Sequence, residues 1–168
     1  MKSKEYIVYL LRNYKEIVAT INMLKLELQN FEGMTSEEAI EALAFRKTVG
    51  ESVKTSGISD KTGRMALVYR EYAKRVNHES KAEVTNSLAP LESEIKMLET
   101  AVEGLSYQEC EIIKELYFKN KSISQVAGEH STSERSIRYA RDAAINRLNS
   151  IYGRYQKITF GGTKNEHA

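Results

Sequence analysis

Between Ile7 and Phe31 the apolar residues Ile7, Leu10, Tyr14, Ile17, Ile21, Leu24, Leu28 and Phe31 recur in steps of three and four without a miss. A strand would show alternation, so this stretch can only be a helix with one narrow apolar stripe. Lys, Arg, Glu and Asn occupy its other faces. The stripe is an a/d heptad seam, too narrow for the flank of a globular core, and it requires a partner helix in the same chain or in another. Gly33 reads as its end. A second seam of the same spacing, Leu88, Leu91, Ile95, Leu98, Val102 and Leu105, is its natural mate, in an antiparallel hairpin or within a dimer.

Between the seams, Thr35-Ser-Glu-Glu38 has the pattern of a capping box and opens a short helix to about Arg46. Residues 47–60, rich in Gly, Ser, Thr and Lys and without periodicity, are expected to form a mobile loop. Helix resumes near Lys61. Pro90 then admits two readings. If Ser87 caps a new helix, the proline falls in its first turn, where a missing N–H is tolerated; otherwise it kinks one continuous helix.

Only one Pro and nine Gly in 168 residues, with 29% charged and 8% aromatic residues, suit long, partly exposed helices, and an all-α fold is expected. Cys110 stands alone, which excludes an internal disulfide and suggests a reducing compartment. No run of about 18 apolar residues could span a membrane, and the N-terminus lacks the apolar core of a signal peptide, so a cytoplasmic location is expected. The net charge of +2 hides an asymmetry. Residues 1–118 hold 16 Lys and Arg against 19 Asp and Glu, whereas residues 119–157 hold eight against three. The basic part calls for an anionic partner.

Residues 106–153 read as three helices. Ser106-Tyr-Gln-Glu109 and Ser122-Ile-Ser-Gln125 are further capping boxes, and Ser133 is placed to cap a longer third helix to about Tyr152. Two short helices and a longer one, with tight turns and the small Ala127 at the crossing, describe a helix-turn-helix unit. On the last helix Ile137, Ala140, Ala144, Leu148 and Ile151 share the face expected to turn inward. Arg135, Arg138, Tyr139, Asp142 and Asn146 share the opposite face, with Glu134 and Ser136 at its N-terminal end. Arginine suits guanine O6 and N7, and glutamate accepts from cytosine N4. Lys119, Lys121 and Ser122 are placed to hold phosphate at the start of the preceding helix, and Arg141 and Arg147 on the flanks to meet backbone or pair internally. No aromatic platform of the kind RNA modules use is visible. The expected partner is double-stranded DNA.

Leu105-Ser-Tyr-Gln-Glu109, Ile112-Ile113, Leu116-Tyr117-Phe118, Lys121-Ser-Ile-Ser-Gln-Val-Ala127 and Ser133-Glu-Arg-Ser-Ile137 through Ala144 and Leu148 resemble region 4 of sigma-70-type factors over about 45 residues. The whole chain resembles phage-encoded transcriptional regulators of the RinA/ArpU type, with Ser56-Gly-Ile-Ser-Asp-Lys-Thr-Gly63 in the place of their Gly/Ser-rich loop. That resemblance implies activation of late phage operons in a bacterial host cell, with the matching Glu134, Arg135, Ser136, Arg138 and Tyr139 on promoter DNA and other surfaces on RNA polymerase. Glu134 and Arg135 stand in the reverse of the family's common charge order, and Tyr139 replaces a Gln, so the site read need not be a −35 element. Sigma regions 2 and 3 have no counterpart, and a complete sigma factor is not expected.

No catalytic constellation is visible. His78, His130 and His167 lack a second ligand at metal spacing, Cys110 has no His within a turn, and Gly161-Gly162 sits in no phosphate-loop frame. No catalytic residue, metal or cofactor is therefore expected. Besides a DNA-binding regulator, two readings stay open: a DNA-recognition subunit of a phage packaging machine, and an adaptor docking on RNA polymerase without touching DNA. The expected organisation is an N-terminal helical segment over 1–46, a loop over 47–60, a long helix over 61–105, the helix-turn-helix over 106–153 and a flexible tail over 154–168. A homodimer through the N-terminal helices is possible on this pattern.

Overall fold

The expected all-α fold is what the computed structural model of the chain shows. The structure describes residues 4–47 and 61–160; of the loop expected over 47–60, Lys47 is helical and residues 48–60 lie outside the described residues, as do the last residues of the tail. The described residues form helices α1 (Lys4–Arg12), α2 (Tyr14–Gln29), α3 (Ser36–Lys47), α4 (Lys61–Glu103), α5 (Tyr107–Ile113) with a π-helical turn Lys114–Phe118, α6 (Ile123–Glu129) and α7 (Glu134–Phe160).

The first seam is broken only at Asn13. Its side-chain amide donates to the Tyr9 carbonyl at 2.8 Å, alongside its own backbone N–H at 3.0 Å, so two donors share one acceptor where α1 gives way to α2. In α4 the proline question resolves to the second reading: one helix passes through Pro90. Ser87 caps nothing, because its hydroxyl donates back to the Glu83 carbonyl at 3.1 Å. Pro90 removes one ladder hydrogen bond, a local cost of about 3 kcal/mol in a helix interior.

The chain divides into two units, Met1–Asn22 with Pro90–Ala168, and Met23–Ala89. These boundaries differ from those read in the sequence. The N-terminal seam does not belong to one arm: its first half lies in the same unit as the C-terminal helices. In that unit Ile7, Leu10 and Leu11 of α1 share a core with Leu98, Val102 and Leu105 of the second seam and with Ala144, Ile145, Leu148 and Tyr152 of α7. The sequence marks a face as apolar but carries no address for what covers it, and the C-terminal helices have apolar faces of their own to bury. A smaller cluster, Ile112, Leu116, Val126, Ala127 and Ile137, joins α5, α6 and the start of α7.

The second unit is held differently. Asn77 clamps the turn before α3, its Oδ1 accepting the Met34 N–H at 2.6 Å and its Nδ2 donating to the Met34 carbonyl at 3.1 Å. Gly33 is required there because a Cβ would lie 2.6 Å from the Asn77 amide. Lys81 packs over the Phe31 ring at 5.1 Å. The capping box expected at Thr35 forms, with Glu38 N–H donating to Thr35 Oγ1 at 3.2 Å and Thr35 N–H to Glu38 Oε2 at 2.7 Å. Those bonds hold the Glu38 carboxyl below its ordinary value.

The C-terminal helix is longer than expected. It passes Tyr152 and continues to Phe160, through residues read as tail. Between Asn149 and Phe160 the chain holds no proline, and Gly153, with open space around it, is an affordable single weak point.

Candidate functional site

The expected site residues gather where α5, α6 and α7 meet, and the local chemistry explains the placement. Ser106 opens α5, donating from N and Oγ to Glu109 Oε2 at 3.2 and 2.6 Å. Past the π-helical turn the chain reverses at Asn120, whose φ of 59° lies in the left-handed region that asparagine tolerates better than most residues. Ser122 then caps α6: its Oγ accepts the Gln125 N–H at 3.2 Å while its own N–H donates to Gln125 Oε1 at 2.8 Å. A four-residue turn, His130 to Ser133, leads into α7. Ser131 takes it through φ 50°. Ser133 Oγ accepts the Ser136 N–H at 3.1 Å and lies 2.9 Å from Ser136 Oγ, which makes it the cap read in the sequence.

The turn is anchored by an ion cluster that sequence reasoning did not assemble. Glu115 is 8% exposed, and its Oε2 lies 2.8 Å from His130 Nε2, which must donate because an ionised carboxylate only accepts. Lys121 Nζ donates to the other Glu115 oxygen at 3.3 Å and also pairs with Glu129. Burial pushes the Glu115 carboxyl up, but the hydrogen bonds and charges of His130 and Lys121 outweigh it and leave the group below its ordinary value. The Lys121 ammonium is raised, first by its hydrogen bond to Glu129. Lys121, expected as a phosphate ligand, is thus engaged by two carboxylates. The Ser122 hydroxyl is used as a cap, and His130 is a structural partner of Glu115. The i+6 and i+15 separations of Lys121 and His130 from Glu115 left no periodic signal to find.

On α7 the two faces divide largely as the spacing predicts. Ile137, Ala144 and Leu148 are buried, with Ala140 and Ile151 half-buried, and Ile145 and Tyr152 join them unforeseen. Ser133, Glu134, Arg135, Ser136, Arg138 and Tyr139 are all exposed, as is Lys119, and Arg141 is half-buried on the flank. Arg135 Nη2 donates to Tyr139 Oη at 3.2 Å, and its guanidinium carbon lies 5.5 Å from that ring's centroid. Arg138 pairs with Glu134 at 2.7 Å, one turn back. Arg141 donates from Nε and Nη2 to Asp142 Oδ1 at 2.9 and 2.8 Å. Arg147 turns to the structure instead, its Nη1 2.9 Å from buried Glu109.

These surface pairs are weak. An exposed i,i+4 ion pair contributes about 0.3–0.5 kcal/mol, whereas a bidentate contact from arginine to a base edge discriminates by about 1–3 kcal/mol. Arg135 and Arg138 can therefore leave Tyr139 and Glu134 for a stronger anionic or hydrogen-bonding partner. Cys110 is half-buried at the edge of the core. Among the described residues no three His, Cys, Asp or Glu side chains are grouped to hold a metal ion, and no helix is long and apolar enough to cross a membrane. Comparisons with protein-family models, curated proteins and solved structures found no match.

Proposed function

We propose that the chain is a sequence-specific DNA-binding transcriptional regulator. In this reading α6 and α7 act as a helix-turn-helix, and the first two turns of α7 enter the major groove. The observation that carries it is the outward row Glu134, Arg135, Arg138 and Tyr139 on a helix whose other side is fixed by buried Ile137, Ala144 and Leu148. A rigid helix that presents guanidinium, carboxylate and phenol groups together has the donor and acceptor set that base edges match. Arg135 and Arg138 read bases, Glu134 sets their rotamers or accepts from cytosine, and Lys119 with Arg141 meets the flanking phosphates. The resemblance to RinA/ArpU-type regulators and to sigma region 4 supports the finer form, activation of a late phage operon in concert with RNA polymerase.

Selection of bound duplexes from a random pool, followed by mobility-shift titration, tests the reading. The expected result is an enriched site whose affinity falls steeply with salt. Arg135→Ala and Arg138→Ala should each cost about 1–3 kcal/mol on that site and relax the preference at one position. Absence of an enriched sequence, or full affinity in the double variant, would sink it. Retained polymerase binding by a chain that ignores DNA would favour an adaptor, and a large ring in native mass measurement a packaging subunit.

A further inference from the structure

One cation of the N-terminal helices reaches the residue that leads toward α6, and a second lies three residues before it. Lys15, in the first turn of α2, donates from Nζ to the main-chain carbonyl of Lys119 at 3.3 Å, although the two residues are 104 positions apart. The approach is held firmly. Next to Lys15, the Tyr14 ring stacks on Phe118 with centroids 3.8 Å apart and 16° between planes. Its hydroxyl donates to Glu99 Oε1 at 2.6 Å. On the other side of Asn13, Leu10 and Leu11 are buried in the core. Arg12, three residues before Lys15, is exposed at the end of α1.

The pairing pattern separates these cations from their neighbours. Arg138, Arg141, Arg147 and Lys121 each have a carboxylate partner. Arg12, Lys15 and Lys119 have none among the described residues. Exposed cations grouped without counter-charge repel one another and favour a polyanion. Lys15 meets the chain at Lys119, the residue proposed above to meet a flanking phosphate.

We infer that Arg12 and Lys15 are phosphate ligands that extend the DNA-contacting surface onto the N-terminal helices, joining it at Lys119. The inference rests on the DNA-binding reading above and adds to it a sequence-independent clamp contributed from the opposite end of the chain. Its signature differs from that of base contacts. A lost phosphate ligand weakens specific and scrambled duplexes alike and flattens the salt dependence by about 0.9 in the slope of log K against log salt per charge.

The test uses the full chain, with the selected duplex and a scrambled one, titrated across salt. Arg12→Gln/Lys15→Gln should bind both duplexes more weakly by one common factor, up to about eightfold per removed cation at 0.1 M salt, the counterion-release ceiling. The slope should shrink by about 1.8 in total, and the ratio of specific to scrambled affinity should stay at the wild-type value. Arg12→Lys/Lys15→Arg, which keeps the charges, should restore both quantities. If the glutamine pair lowers the thermal midpoint, the single variants report the same slope change one charge at a time. A wild-type slope and affinity in the glutamine variants would overturn the inference and leave the DNA-binding reading standing. A wild-type chain that binds neither duplex would overturn both.

Discussion

Tyr152 shows how much a single atom can oppose the fold. Its ring fills the core beside Leu148, 3% exposed, yet its hydroxyl is buried without a hydrogen-bond partner. A buried hydroxyl stripped of water and given nothing in return costs about 1–3 kcal/mol. Tyr152→Phe keeps the ring and removes that cost, so urea denaturation at pH 7 should show stability raised by about 1 kcal/mol. A loss of that size would mean the hydroxyl has a partner after all. Burial, with the Glu94 charge adding to it, also pushes the phenol up to about 12 from an ordinary 10. The folded chain thus holds the neutral form more tightly than the unfolded chain does. That contribution is complete below pH 10 and is lost as pH rises through about 12, so the phenylalanine variant should lose less stability across this window. Part of the decline should persist in the variant, because Tyr14, half-buried and bonded to Glu99, is also pushed up to about 12.

At the scale of elements, Glu115 ties three segments together: the π-helical turn that carries it, Lys121 before α6, and His130 after it. Glu115→Gln keeps the shape and removes the charge that both cations face. Its cost at pH 7 should be about 1–3 kcal/mol by chemical denaturation, the usual worth of hydrogen bonds made to a charged group. Because the Glu115 carboxyl titrates below its ordinary 4.5 in the folded chain, its contribution is present above that value and is lost as pH falls through the lowered one. The variant should therefore show a shallower acid decline, and an unchanged one would remove Glu115 from the cluster. This element was only half legible in the sequence. The caps at Ser106, Ser122 and Ser133 were readable because capping is local, and the inward positions of α7 because they repeat every three or four residues. Leu11 and Ile145 were not readable, since each lies one position off the stripe that periodicity selects, and a helix packed against several neighbours buries a wider face than a coiled-coil seam. The π-helical turn left no mark in residue spacing, and Glu115 looked like one more charged residue on a helix surface. Lys15 was read as part of the polar flank of a seam, because its nearness to Lys119 depends on a fold that joins distant parts of the chain.

For the whole molecule, the consequence lies in how the first unit is assembled from the two ends of the chain, Met1–Asn22 and Pro90–Ala168. A C-terminal piece cut out as residues 106–168 would keep the Ile112, Leu116, Val126, Ala127 and Ile137 cluster but lose the other side of the larger core. Ile7, Leu10 and Leu11 from α1 are each 1% exposed or less, as are Leu98 and Val102 from α4. Truncating one such side chain to alanine costs about 2–5 kcal/mol, and losing several together exceeds the whole stability of about 5–15 kcal/mol typical of a domain. The excised module should then keep helical circular dichroism but lose cooperative unfolding and dispersed side-chain signals in NMR, the behaviour of a molten state. Deleting only residues 1–22 from the full chain should have the same effect on the C-terminal helices, even though the deletion touches none of them in sequence. Leu11→Ala is the graded version, expected to lower stability by about 2–5 kcal/mol in a single transition. If residues 106–168 instead melt cooperatively with dispersed spectra, the C-terminal helices are a self-sufficient domain and α1 is an accessory laid upon it. A cooperative loss on deleting residues 1–22 means that the surface formed by α6 and α7 exists only when both ends of the chain have met.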